Sequence, residues 1–525
     1  MSSSNEKHYN LLKESLFQVK RSGEEERGAS LTEVLSELGG SGSEIDFTHL
    51  RPFQQHAWFA FLVQLATMAL ISSNRTEPSN HAAAWEKMLL ELTSGNDEPW
   101  CLFVEDLSKP AFMQPPVPEG RIDEKWKAFN TPGTLDLLVT GKNHDVKTQL
   151  INSADPDHWC YALISLQTME GFSGRNNYGI ARMNSGFGSR PCVTLATAPD
   201  WNSRFVRDVP ILLKNYDRML SGSLPYTRRN GYKLLWLLPW DGEESIDLSG
   251  CDPFFIEICR RIRLTYEHGV LKARGTSTST ARIAGEELHG VTGDPWTPVD
   301  KNEAKALTVS AAGFDYRKLH QLLFPGDYEK PITWRQDDDR GSMHFIASAL
   351  TRGQGKTEGY HYRELLLPEP VIGMLKTREG GDMLAKFSQS RIERCQQVRN
   401  TVLNRALCLV AQGAPKGKLD FRDSKTNQWL VALDRNIDAI FFDRLFSQLE
   451  LDPEAADIAW IRELLTIAED QLDDALRSIP QPTLRRFKVE SAARRMFHGM
   501  VRDTFPELFI NDDVEGKSNE GAANV

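Results

Sequence analysis

Two stretches of this 525-residue chain concentrate side chains suited to gripping a polyanion. The first, RGQGKTEGYHYRE (352–364), packs three glycines (Gly353, Gly355, Gly359) and three cations (Arg352, Lys356, Arg363) into thirteen residues. Glycine lets the backbone turn sharply and approach a partner closely, and Arg, Lys and Gln offer donors to phosphates or base edges. A plain basic interdomain loop has the same composition. The second, GFSGRNNYGIARMNSGFGSR (171–190), holds five glycines, three arginines and three asparagines. A thin Gly backbone carrying Asn and Arg can enter a DNA minor groove, where bulkier chains clash. A pair of tight turns between strands uses the same residues.

Neither stretch carries a catalytic pattern. Gly355-Lys356-Thr357 imitates the end of a nucleotide-binding P-loop, but that loop needs a glycine five residues before the last one, and residue 350 is Leu. The chain has no Gly-x-Ser-x-Gly elbow, no His-Glu-x-x-His and no dinucleotide fingerprint. His361 near Glu358 and Glu364 is the one arrangement with acid–base character. The seven cysteines, at 101, 160, 192, 251, 259, 395 and 408, form no Cys-x-x-Cys pair and read as reduced, buried thiols of a cytoplasmic protein. No catalytic residue, metal site or cofactor is therefore expected. The competing reading is a stand-alone nucleotide-dependent or nucleic-acid-processing enzyme built on the 352–364 loop.

The elements that must hold these stretches give an α+β chain. Ser30 begins a helix with apolar residues at helical spacing. A dense apolar segment from about 52 to 70 (Trp58, Phe59, Phe61, Leu62, Leu65, Met68) predicts a buried core helix, and its longest apolar run, 58–71, reads as too short to span a bilayer. Another helix is expected over 82–92, and one over 161–169 leads into the glycine-rich stretch. FMQPP (112–116) is extended. Residues 232–241 and 253–266 fit strand or helix equally. Residues 268–275 read as a hairpin with Lys272 and Arg274 at its tip, and the acidic run 337–339 as a solvated turn.

After Pro368 the pattern simplifies. Leu384, Phe387, Cys395, Val398, Val402 and Leu409 share one helical stripe over 380–412, followed by helices at 426–449, 453–479 and 483–504, which predicts an antiparallel four-helix bundle. The last helix carries Arg485, Arg486, Lys488, Arg494, Arg495 and Arg502, a basic face. The expected division is a large mixed domain over 1–368, the bundle over 369–511 and a polar tail over 512–525. The net charge of −10 argues against a free-standing nucleic-acid binder with a large basic face, so any such contact is local or completed by partner subunits. The N-terminus has no apolar signal region, and no membrane association is expected.

With these segments in place, the chain resembles the CasA family, the large subunit of the type I-E CRISPR surveillance complex Cascade. LRPFQQHAWFAFLVQLA (50–66), FMQPP (112–116), GFSGRNNYGIARMNSGFGSRP (171–191) and RGQGKTEGYHYRE (352–364) carry the resemblance. It implies a non-catalytic subunit that checks double-stranded target DNA for a short protospacer-adjacent motif (PAM), starts strand separation and R-loop formation, and helps recruit the helicase–nuclease. The guide then reads sequence by base pairing while protein reads only the adjacent motif and the backbone. The implied partners are the guide RNA's 5′ handle and the other Cascade backbone and small subunits. By resemblance, Gly171, Phe172, Ser173, Gly174, Arg175, Asn176 and Asn177 form the glycine loop at the PAM minor groove. Lys272 matches the minor-groove lysine finger. Arg352, Gly353, Gln354, Gly355, Lys356 and Thr357 match the wedge, with Gln354 first choice for its tip and Lys356 or Thr357 next. Asn143, His144 and Lys147 match the contact with the guide handle and a neighbouring subunit. Some relatives carry a cysteine-rich zinc knuckle near the middle of the chain. Here only Cys251 and Cys259 fall in that region, which loosens the match around Lys272.

Overall fold

A computed structural model of the protein describes residues 8–40, 44–136, 155–184, 186–222, 224–226, 231–267, 269–334, 339–353, 356–414 and 417–509, the side chain of Lys356 excepted. The chain forms two compact units, Met1–Phe314 with Gly326–Ile372, and Asp315–Pro325 with Gly373–Val525.

The first unit is built around the helix Gln55–Ser72, in which fifteen of eighteen residues are buried. A helix apolar on every side must be enclosed on every side. The helices Ala82–Leu92, Pro156–Met169 and Trp201–Ser221 and the strand Cys251–Ile256 enclose it. With its preceding turn it spans Pro52–Ser72, long and apolar enough to cross a membrane, so burial rather than length identifies it as core: 83% of an 18-residue apolar stretch within it lies inside the protein. Gln64, a long polar side chain buried in the middle of this helix, is satisfied by donating to the Phe254 and Phe255 carbonyls at 3.1 Å.

Local chemistry sets several boundaries. Ser30 accepts from the Glu33 N–H and the Glu33 side chain returns to the Ser30 backbone, a capping box that starts the helix Leu31–Leu38. The segment that fitted strand or helix equally contains two strands, Cys251–Ile256 and Arg261–Glu267. The run 232–241 begins with the short strand Tyr232–Leu234 and a single 3-10 turn. Of the acidic run expected as a solvated turn, Asp337 and Asp338 lie outside the described residues. Asp339 is buried and pairs with Arg207 at 3.2 Å.

Two small sheets carry the glycine-rich and basic segments. Strand Val270–Thr276 lies between Lys127–Phe129 and Arg261–Glu267, antiparallel to both. Strand Met343–Gly353 lies between Cys192–Ala196 and Lys356–Leu367, again antiparallel to both. Residues 352–353 end one arm and residues 356–364 belong to the other arm of a long β-hairpin, where a loop is expected from sequence.

The second unit is helical. Arg378–Gln397 continues through a wide π turn at Val398–Leu403 into Asn404–Ala411, and Asn427–Ser447, Pro453–Ser478 and Thr483–Thr504 follow. Of the sequence stripe, Leu384, Cys395, Val398, Val402 and Leu409 are buried and Phe387 is half-buried. Pro453 occupies the first turn of its helix behind Asp452, whose carboxylate accepts from the Glu454 and Ala455 N–H groups. The short helix Tyr316–Leu323 also belongs to this unit, although sequence places it in the mixed domain. Tyr316 stacks on Phe441 at 4.9 Å, and Phe441 meets Trp460 at 5.8 Å.

Candidate nucleic-acid interface

The two glycine-rich stretches, some 180 positions apart in sequence, are neighbours in the first unit. The strand Cys192–Ala196 follows directly from the first stretch and pairs with Met343–Gly353, the first arm of the long hairpin. Ser189 N–H donates to the Leu350 carbonyl at 2.8 Å, and Leu350 N–H donates to Ser189 Oγ at 2.7 Å. The first stretch is itself closed by an antiparallel bridge between Glu170 and Ser189.

Within that closed segment, residues 171–177 make a compact turn. Ser173 N–H donates to the Asn177 carbonyl and Asn177 N–H to the Gly174 carbonyl, both at 3.0 Å. Gly174 has φ +119° and Asn176 φ +65°, backbone conformations that Gly and Asn tolerate best. Gly171 serves close packing: a Cβ there would lie 2.2 Å from the Gly186 carbonyl oxygen. Gly171 is buried, Phe172 packs near Phe187 with ring centroids 5.9 Å apart, and Arg175 and Asn176 are the exposed members at the tip. Of the seven candidates, those two present side chains to solvent most fully.

Arg260, which escapes sequence inspection, braces this turn. Its guanidinium donates to Ser173 Oγ at 3.0 Å, to the Gly171 carbonyl at 3.2 Å and to the Tyr178 carbonyl. Gln167 in turn sets the Arg260 backbone, accepting from its N–H at 2.8 Å and donating to its carbonyl at 2.9 Å. No sequence signal marks Arg260, because an Arg in an apolar strand segment looks like an ordinary surface charge.

The long hairpin gives its candidates unlike roles. Arg352 is buried, forms an ion pair with Glu170, and donates to the Asp136 carbonyl at 2.6 Å. Its side chain is held by the fold in this structure, whereas the resemblance places it among the DNA-contacting residues. Gly353 ends the first arm, and Thr357 is half-buried on the second. Gln354 and Gly355 lie outside the described residues, as does the side chain of Lys356. Lys356 begins a β-strand, whereas a P-loop Lys begins a helix around the phosphates, so the strand removes the structural basis of the nucleotide-binding alternative. His361 accepts or donates with Thr351 Oγ1 at 3.1 Å, while Glu364 is engaged by His344 at 2.9 Å and by Tyr362 at 3.0 Å. The His361–Glu364 acid–base pair is not assembled.

Lys272 sits on the strand Val270–Thr276, opposite Thr265, rather than at a hairpin tip. Val270 already pairs with Glu267, which places Lys272 within the strand. Lys272 and Arg274 both hold Glu267, at 3.1 and 2.6 Å. Both cations are about one-third exposed, so water screens these pairs strongly. Asn143, His144 and Lys147 lie outside the described residues.

Between the glycine turn, the end of the first arm of the long hairpin and the small sheet lies a cleft of about 290 Å³. Ser173, Asn177, Arg260 and Arg352 line it together with Gly275, Thr276 and Ser277. Lys125 and Lys127 stand exposed at its wall. Lys127 is placed there by pairing with Gly275. A sequence scan passes over these two lysines as part of a solvated charged segment. The cleft therefore joins the glycine turn, the end of a hairpin arm and two exposed cations on one unit.

No family model matches this sequence, and no curated protein matches it significantly. Solved structures do. Cse1 from Thermobifida fusca superposes with a TM-score of 0.62 at 12% identity, over 95% of this chain and 99% of that one. The CRISPR-associated protein Cse1 from Acidimicrobium ferrooxidans gives 0.58 at 13% identity, over 95% and 99%. CasA from Thermus thermophilus gives 0.57 at 13% identity, over 94% and 99%. The likeness runs through both units and leaves almost none of any of these chains uncovered. The chain has the fold of the CRISPR-associated Cse1/CasA proteins.

Proposed function

We propose that this chain is the large subunit of a CRISPR Cascade complex, where it reads the PAM in double-stranded DNA and begins strand separation. One observation carries the reading: the glycine turn 171–177 and the long hairpin are tied into a single corner whose exposed tip residues are Arg175 and Asn176. A thin turn fits a minor groove, which distinguishes A·T from G·C only coarsely, so the subunit tolerates several PAMs. Lys272, Lys125 and Lys127 supply cations along the flanking duplex, as phosphate contacts do. Residues 353–357, where the two arms of the long hairpin adjoin in sequence, enter beside the PAM and offset the few kcal/mol lost when a base step unstacks. The guide heteroduplex then replaces the DNA duplex in a nearly balanced exchange. The net charge of −10 fits a subunit whose channel is completed by guide RNA and neighbouring subunits. The 143–147 segment contacts the guide handle or a backbone subunit in this reading, and the subunit helps receive the helicase–nuclease. The subunit itself performs no chemistry.

The test is an add-back. A Cascade complex lacking the subunit is given guide-matched duplexes with a correct or a scrambled PAM, with and without this chain, at fixed salt because phosphate contacts dominate non-specific affinity. Binding that appears only with the chain and only on the correct PAM supports the reading. Equal gain on both duplexes makes the chain a non-specific clamp.

A further inference from the structure

His49, Asp157 and His158 converge at a place that the proposed DNA interface does not use. His49 follows the strand Ile45–Phe47, and Asp157 and His158 occupy the first turn of the helix Pro156–Met169. His49 Nδ1 lies 3.1 Å from Asp157 Oδ2, and His158 Nδ1 lies 3.3 Å from Asp157 Oδ1. One donor atom from each of the three residues lies within 4.8 Å of the other two. The imidazoles are stacked at 4.6 Å with an interplanar angle of 26°.

We propose that His49, Asp157 and His158 form a binding site for a divalent transition-metal cation, zinc by preference, that pins the N-terminal sheet to the helix leading into the glycine turn. Two imidazoles and a carboxylate are a borderline donor set that suits zinc better than magnesium or calcium. Bonds of about 2.0–2.1 Å in a tetrahedral site put neighbouring donors about 3.3 Å apart, close to both spacings found here. A simple hydrogen-bonded clamp accounts for His49, whose Nδ1 has hydrogen-bond geometry to both Asp157 oxygens at 3.1 and 3.3 Å, but not for His158. The His158 Nδ1 atom is buried and lacks hydrogen-bond geometry to any partner despite its 3.3 Å approach to Asp157.

The surroundings complete a site of this kind. Asp157 is fully buried, and its Oδ2 also accepts from the Gln18 N–H at 3.2 Å, which fixes the carboxylate. On the far side of the His49 ring, Glu26 Oε1 lies 3.7 Å from Nε2. A carboxylate there favours electrostatically the tautomer protonated on Nε2, with Nδ1 turned as an acceptor toward the cluster, and a small approach would make it the outer-shell partner found around metal-bound histidines. Asp155, exposed and 3.9 Å from His49 Nδ1, or a water takes the fourth position. Because Asp157 is more than a hundred positions from His49, no spacing motif announces the cluster.

The experiment titrates Zn²⁺ into the untagged full-length chain after chelator treatment, by calorimetry, with Co²⁺ absorption as a second reading of coordination. The expected result is one tight equivalent, a Co²⁺ spectrum of low coordination number, and a higher melting temperature with Zn²⁺. His49→Gln with His158→Gln loses that equivalent while keeping a cooperative melt. Glu26→Gln weakens it by about tenfold. A double variant that binds Zn²⁺ like the wild type overturns the assignment, and so does a wild-type chain that takes up no Zn²⁺.

Discussion

Arg352, at the end of the first arm of the long hairpin, forms a buried ion pair with Glu170, the residue just before the glycine-rich stretch. The two side chains are 4% and 7% exposed, so water does little to screen them. Each motif thereby fixes the other's position. Breaking a buried pair from one side costs about 3–5 kcal/mol where the remaining charge is left alone. Here Arg260, 3.8 Å from Glu170, still faces that charge, which places the cost at the lower end, about 3 kcal/mol. Arg352→Ala is expected to lower stability by that amount in urea unfolding, and Arg352→Lys to recover only part, because one ammonium cannot serve Glu170 and the Asp136 carbonyl as a guanidinium fork does. An unchanged midpoint for Arg352→Ala contradicts the buried pairing.

The exposed tip of the glycine turn predicts a different outcome. Arg175→Ala touches no ion pair among those described, so its stability stays within about 0.5 kcal/mol of wild type. Its effect belongs in DNA binding. One lost phosphate contact makes the salt slope of binding shallower by about 1, whereas a lost groove contact falls mainly on the correct PAM. Measuring both duplexes across a salt series separates these two contributions.

Lys272 tests whether the small sheet faces DNA. Glu267 keeps Arg274 when Lys272 is removed, and exposed pairs contribute at most about 1 kcal/mol. Lys272→Ala therefore leaves the melt nearly unchanged and weakens duplex binding by the assembled complex. Lys125→Ala with Lys127→Ala is expected to weaken binding equally on correct and scrambled PAMs. Full retention of affinity in both variants removes this sheet from the interface.

Two buried groups set opposing pH dependences in the first unit. Burial, aided by Arg190 and Arg204, lowers the His56 pKa from 6.5 to about 3. The stability this neutral imidazole contributes is complete above 6.5 and is lost as pH falls towards 3. Burial raises the Glu257 carboxyl from 4.5 to about 7 against the opposing Arg182. Its contribution is complete below 4.5 and is lost as pH rises through 7. His56→Gln should flatten the acid-side decline in thermal melts, and Glu257→Gln should flatten the decline between 4.5 and 7. Slopes are the quantity to compare, since either substitution can shift the absolute midpoint. Unchanged slopes contradict the assigned protonation states.

What the sequence reveals follows from how local each determinant is. The core helix is legible because fifteen buried residues within eighteen leave no other solution. The helix from Ser30 is legible because its cap is written within four residues. The long hairpin is not, since Arg352–Glu364 looks like a loop until Met343–Gly353 is seen to pair along it. Arg352 shows the same limit at a site: a cation beside glycines suggests an exposed contact, yet its partner Glu170 is remote in sequence. Arg260, Lys125 and Lys127 escape sequence inspection for that reason too. Their roles come from the cleft, which only the fold assembles.

The most direct test of the central claim places a fluorescent adenine analogue at the first base pair beside the PAM and reads its unstacking in the complete complex. With the wild-type chain, fluorescence should rise on the correct PAM before the guide has paired beyond that position, and not on a scrambled one. Shortening the hairpin to two glycines in place of residues 353–357 should abolish the rise while PAM-dependent binding remains. If the shortened hairpin opens the base pair as well as the wild type does, the hairpin is not the wedge and the account of strand separation fails.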